Sequence, residues 1–231
     1  MKVAFLSDIH ANIYALEAVL DVLEKQSVST ILVSGDMIGY YHWPRQVIDL
    51  LRSDRRMVCI KGNHEKILQE ARKNESVLEK YRKKYGSAHE TCLTELSDED
   101  LDWIEELPDT VSIVCEDTSV FSSHGSLESS FEYIYPTSEP EVLIANYSSR
   151  DVTVFGHTHY PMLHCYEDKF LINPGSVGQP RDVGGLASFI TLETSNRMFQ
   201  FHRCRFNTEN IRMRCQKEDP QLKYLWEIME R

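Results

Sequence analysis

The sequence predicts an α/β protein in which two β-sheets pack together with helices outside. Three observations carry this. The N-terminal half alternates short β-rich runs with amphipathic segments of helical period, the pattern of strands joined by crossover helices. After Pro108 one strand-like run follows another, which points to two packed sheets rather than one open parallel sheet. A chain of 231 residues, 42% of them hydrophobic, buries a sizeable core without disulfides and has the size of one domain.

Taken in order, Lys2 to Ser7, Thr30 to Ser34 and Arg56 to Ile60 read as strands. Between the first two, Ile13, Leu16, Val19, Leu20 and Leu23 share one face while Glu17, Asp21 and Glu24 face away, so that segment is a helix. Pro44 to Leu51 is a shorter one. From Glu65 to Glu106 the chain is highly charged, and two or three helices are expected to form a cap over one edge at about 65–107. The basic run K-Y-R-K-K at Lys80 to Lys84 is read as a solvated helical face with no functional role.

Strands are then expected at Thr110 to Cys115, Ser119 to Ser122, Val152 to Phe155, Met162 to Tyr166, Phe170 to Ile172, Leu186 to Leu192 and Met198 to His202, with a helix at Glu139 to Asn146. Beyond about residue 195 lies a C-terminal extension. Its segment from Asn207 to Arg231, bearing Ile211, Leu222, Leu225, Trp226 and Ile228, reads as helical and packs on the core or on a second subunit. With no internal repeat, linker or low-complexity tract, residues 1–231 are expected to form a single domain.

The formal charge is −11, from 25 basic and 36 acidic residues, which argues against duplex nucleic acid as a partner. An anionic substrate would have to be drawn in by something local. The apolar run from Met1 breaks at Asp8 and His10, too short for a signal peptide or a membrane span, so a cytoplasmic protein without a membrane partner is expected. Six scattered cysteines with no C-x-x-C pair read as reduced thiols.

Five places share one feature: a β-run ends and Asp, His or Asn follows at once, often beside Gly. They are F-L-S-D-I-H (Asp8, His10), L-V-S-G-D (Asp36), C-I-K-G-N-H-E (Asn63, His64), F-S-S-H-G (His124) and V-F-G-H-T-H (His157, His159). Strand C-termini are where α/β folds gather ligand sites, because loops distant in sequence converge there. Carboxylate, imidazole and amide donors without thiolate suit manganese, iron, zinc or cobalt. Seven donors are too many for one tetrahedral ion but suit two if a carboxylate bridges them. Two divalent cations against two aspartates leave a net positive charge, which would attract hydroxide and phosphate into an acidic protein.

In this order the motifs D-x-H, G-D, G-N-H-D/E, H-G and G-H-x-H resemble those of the calcineurin-like metallophosphoesterase superfamily, from Lys2 to about Leu192. The resemblance implies a four-layer α-β-β-α sandwich of two mixed sheets flanked by helices. D-I-H-A-N, G-D-x-x-G-Y and N-P-G-S-V-G-Q-P-R at Asn173 to Arg181 are similar to its compact prokaryotic phosphatase and phosphodiesterase branch. Gly39 and Tyr40 stand where phosphoprotein phosphatases carry an Asp-Arg-Gly step, which speaks against a dedicated protein phosphatase. Tyr41, His42 and Trp43 replace a usual Gly-Pro step, a departure expected to reshape the pocket mouth.

The resemblance further implies one ion on Asp8, His10 and His159, another on Asn63, His124 and His157, and Asp36 bridging. Manganese is the first expectation, with iron, zinc, cobalt and nickel as alternatives. His64 would be a general acid or transition-state stabiliser, and a metal-bridging hydroxide the nucleophile on a phosphate monoester or diester. Arg181 is read either as a phosphate contact or as part of a turn buttressing the metal loops. Tyr40, with Tyr41 and Trp43, either stacks on a substrate ring or packs. The expected partner is a phosphorylated small molecule or nucleotide. Two other functions stand beside this one: hydrolysis of dinucleoside polyphosphates or nucleotide pyrophosphates on the same site, and a non-catalytic scaffold.

Overall fold

A computed structural model describes residues 1–231. The elements in chain order are β1 (Lys2–Leu6), α1 (Ile13–Glu24), β2 (Thr30–Val33), α2 (Pro44–Ser53), β3 (Met57–Cys59), α3 (Asn63–Ala71), α4 (Glu75–Tyr85), α5 (Ala88–Glu95) and α6 (Asp98–Glu106). They continue with β4 (Thr110–Cys115), β5 (Thr118–Ser123), α7 (Pro140–Ala145), β6 (Val152–Val154), β7 (Pro161–Tyr166), β8 (Lys169–Pro174), β9 (Leu186–Glu193), β10 (Met198–Arg205), α8 (Glu209–Glu218), α9 (Tyr224–Glu227) and a 3-10 turn at Ile228–Glu230.

The strands form two mixed five-stranded sheets, ordered β10-β9-β1-β2-β3 and β4-β5-β6-β8-β7. In the first, β1, β2 and β3 run parallel, β9 lies antiparallel beside β1, and β10 antiparallel to β9. In the second, β5, β6 and β8 are parallel and β4 and β7 form antiparallel edges.

Strand β1 explains the layering. Successive side chains alternate between faces, and both faces of this strand are buried, hence its unbroken apolar run. Ala4 and Leu6 pack under α1 with Leu16, Val19 and Leu23. Val3 and Phe5 point the other way, into an inter-sheet core with Leu32, Ile190, Val120, Val152, Val154 and Ile172. Each such side chain contributes about 1.5–3 kcal/mol of burial before entropy is set against it. The outer face of the second sheet carries Phe155, Met162 and Leu171 under Leu143 of α7 and Ile134. Helices, sheet, sheet and helix thus make four layers.

Between residues 63 and 106 the chain forms four helices, not two or three. The breaks lie in short polar signals: Asn74 Oδ1 accepts from Ser76 N at 3.0 Å to start α4, Gly86 at φ 78° ends it, and Ser97 and Asp100 cap α6 reciprocally. The C-terminal helices pack on their own chain: Ile211, Leu225 and Trp226 join Tyr40, Tyr41 and Tyr85 in one cluster, and Tyr41 Oη donates to Leu225 O at 3.1 Å. No helix is long and apolar enough to cross a membrane.

Candidate metal centre

The loops that leave β1, β2, β3, β5 and β6 carry the five motifs, and they meet. Backbone pairing continues past the ends of β1 and β2, with Asp8 N donating to Gly35 O at 3.1 Å, His10 N to Asp36 O at 2.9 Å and Ala11 N to Met37 O at 2.8 Å. Asp8, His10, Asp36, His157 and His159 all take left-handed backbone angles, with φ of 55°, 53°, 53°, 65° and 64°. Each such residue costs on the order of 1–3 kcal/mol and persists only where its surroundings over-determine it. Gly156 permits the close approach of the β1 and β6 loops, because a Cβ there would overlap Ser7 Oγ.

The donor atoms converge in two groups. In one, His159 Nε2 lies 3.2 Å from Asp8 Oδ1, and His10 Nε2 lies 3.6 Å from that oxygen and 3.1 Å from His159 Nε2. In the other, His124 Nε2 lies 3.2 Å from Asp36 Oδ2 and 3.0 Å from Asn63 Oδ1, with His157 in reach of both Asp36 and His124. Asp36 stands between the groups, since its Oδ2 is also 3.9 Å from His10 Nε2. His64 falls within reach of His10 and Asp36 as well.

Backbone groups hold the donors in orientation. The Nδ1 atoms of His10, His124 and His159 face the carbonyls of Ile38, Ser34 and Gln179 at 3.1, 2.7 and 2.7 Å. Donation to a carbonyl places the proton on Nδ1 and leaves the Nε2 lone pair aimed into the cage, as a metal ligand requires. Asp8 Oδ2 accepts from His157 N at 3.0 Å, and Asp36 Oδ1 accepts from His64 N at 2.9 Å.

This arrangement fits divalent cations. Asp8 Oδ1 and His157 Nε2 are buried with no hydrogen-bond partner, which is costly unless something positive satisfies them. Burial opposes the ionised form of both aspartates, yet the surrounding histidines hold both carboxyls below their ordinary range. Burial pushes His157 down to about 3 and His159 to about 4, leaving them neutral. His124 goes the other way: burial resists its charge, but Asp36 and Asp8 lift it to about 9. Without a cation, the cage therefore takes a proton in its place.

His64 is buried and lines the cavity above the cage. Burial lowers its pKa well below the ordinary histidine value, with Asp36 pulling the other way. Its ring packs between Tyr85 at 4.6 Å and a parallel His89 at 5.2 Å. Gly39, at φ 87°, makes room for it, because a Cβ there would overlap His64 Nδ1.

Several residues outside the expected set support or line this site. Glu65 accepts four backbone N–H groups, from Asp36, Gly62, Met37 and Ile38 at 2.9, 2.7, 2.8 and 3.2 Å, clamping the β2 and β3 loops together. Burial and neighbouring Asp36 push its carboxyl up to about 7. It closes the G-N-H-E motif, so its position was visible though its role was not. Asn173 Nδ2 donates to Gly156 O at 2.6 Å, and Ser176 Oγ to Asp8 O at 2.7 Å. Tyr85 and Tyr133 line the cavity from segments without a recognisable motif.

Residues 173–179 hydrogen-bond to the loops that carry the donors, and Arg181 lines the cavity, its Nη2 donating to Tyr40 Oη at 3.3 Å. Tyr40 lines the cavity edge-on to His10 at 4.5 Å. The mouth is not shaped by direct contact with the next three residues. Tyr41 is fully buried against the C-terminal segment, His42 Nε2 pairs with Asp219 Oδ2 at 3.0 Å, and Trp43 packs on Tyr14.

Over residues 1–197 the chain matches the calcineurin-like phosphoesterase superfamily domain. An uncharacterized protein of Methanocaldococcus jannaschii is 31% identical over 209 residues, 81% of this chain and 80% of that protein. Phosphodiesterase YfcE of Escherichia coli K12 is 27% identical over 204 residues, 84% of this chain and 88% of its own length. The crystal structure of a metallophosphoesterase from Sphaerobacter thermophilus superposes with a TM-score of 0.79 at 27% identity, spanning 100% of this chain and 99% of that one.

Proposed function

Because the chain belongs to the calcineurin-like phosphoesterase superfamily, we propose that it hydrolyses phosphate esters with two divalent cations, manganese first among them. The observation that carries this is the pair of donor groups meeting at Asp36. Asp8, His10 and His159 would hold one cation, and Asn63, His124 and His157 the other, with Asp36 shared. When bound, the cations supply Lewis acidity, ionising a water at neutral pH and neutralising charge on phosphate oxygens.

The chain's own residues do the rest. Arg181 offers a guanidinium to a phosphate oxygen, held in place by Tyr40. His64 supplies a proton to the departing oxygen. It rests neutral in its buried place, so the proton it passes on is taken up from solvent as the phosphate arrives, whose negative charge favours the cationic form. The Tyr40, Tyr85 and Tyr133 rings restrict the water around it.

A phosphodiester is the first substrate class to examine, because a relative that matches most of this chain is named a phosphodiesterase. Six unpaired cysteines suit a reducing compartment, and we place the protein in the cytoplasm. Turnover of bis-aryl and mono-aryl phosphates with manganese tests the reading. Hydrolysis of either supports it, their ratio separates diester from monoester preference, and inertness toward both contradicts it.

A further inference from the structure

The cavity over the donor cage measures about 10 Å3, room for no more than one water and too little for a phosphate group. Tyr133 closes it. Its ring lies nearly face to face on the His157 imidazole, with centroids 3.9 Å apart and planes at 24°. Tyr135 carries the stack outward at 5.6 Å and 9°. Tyr133 is 42% exposed and Tyr135 37%. Ile134 between them is buried against Phe155 and Leu171. The backbone is thus anchored while the Tyr133 side chain reaches over the site, so rotation about its side-chain bonds uncovers the cage without unfolding the segment.

We infer that Tyr133 is a specificity gate: its ring turns off His157 to admit the phosphate, and the Tyr133 and Tyr135 faces then receive a planar aromatic group of the substrate, a nucleobase or an aryl ester. This rests on the phosphoesterase reading above and adds the substrate class. The physical reason is an exchange of partners. Opening the gate breaks the stack between Tyr133 and His157. A planar substrate group offers a new π-face in return, whereas an alkyl group offers none. Arg181, in the same cavity wall, is placed to take the phosphate charge while the stack takes the ring.

The test uses the manganese-loaded protein with two non-hydrolysable probes, phenylphosphonate and methylphosphonate, measured by calorimetry. The wild type is expected to bind the phenyl probe about tenfold more tightly, the size of one base-like stack. Tyr133→Ala is expected to lose that preference while binding methylphosphonate at least as tightly as the wild type, and Tyr133→Phe to keep it. An unchanged phenyl-to-methyl ratio in Tyr133→Ala overturns the gate and leaves the phosphoesterase reading standing. A wild type that binds neither probe and hydrolyses no aryl phosphate overturns both.

Discussion

The backbone N–H of His64 donates to Asp36 Oδ1 at 2.9 Å, so the residue proposed as proton donor positions the carboxylate proposed to lie between the cations. The link runs through the main chain and survives loss of the imidazole. His64→Ala should therefore retain metal binding while hydrolysis falls by about 10²- to 10⁴-fold. Metal analysis beside turnover checks this. Unchanged turnover in the variant would remove His64 from the reaction.

Gly39 sets the place of that imidazole. Gly39→Ala puts a Cβ into His64 Nδ1 and strains a backbone at φ 87°. It should lower kcat with little change in manganese affinity, because Gly39 touches the acid rather than the donors. Unaltered kcat would show that His64 does not need its present position.

The metal-free cage should answer to pH through His124. Its folded-state pKa is lifted to about 9, above the ordinary 6.5. The stability it confers without metal is therefore fully present below 6.5 and lost as pH rises through 9. A metal must displace its proton, so apparent manganese affinity should climb about tenfold per pH unit and level off near 9. Calorimetry in buffers of different ionisation enthalpy would show about one proton released at neutral pH. Flat affinity from pH 6.5 to 9 would contradict the assignment.

Glu65 should matter to folding. Glu65→Ala leaves four buried N–H groups without their acceptor, a loss of about 4 kcal/mol at roughly 1 kcal/mol each. Calorimetric unfolding should show a fall in Tm of roughly 10 °C for a chain of this size. A shift under about 2 °C would mean that water replaces the carboxylate.

Much of this was legible because strand-end chemistry is local. A β-run that stops at S-D-I-H or G-N-H-E announces a loop with donors, and the unbroken apolar run of β1 fits a strand buried on both sides. Other features depend on distant partners. Glu65 lay inside a visible motif, but its clamp exists only once the β2 and β3 loops are adjacent. Tyr133 reaches His157 from a segment with no periodicity, and Tyr41 is committed to Leu225 far along the chain. Helices between residues 63 and 106 were expected, but their number was hidden by charge density, since their boundaries rest on single residues such as Asn74, Gly86 and Ser97.

If donors from five loops form one cage for a pair of cations, metal stoichiometry must show it. After exhaustive chelation, manganese should bind at two equivalents per chain, with aryl phosphate hydrolysis absent beforehand and rising until the second is bound. Saturation at one equivalent, or hydrolysis that persists without metal, would contradict the account.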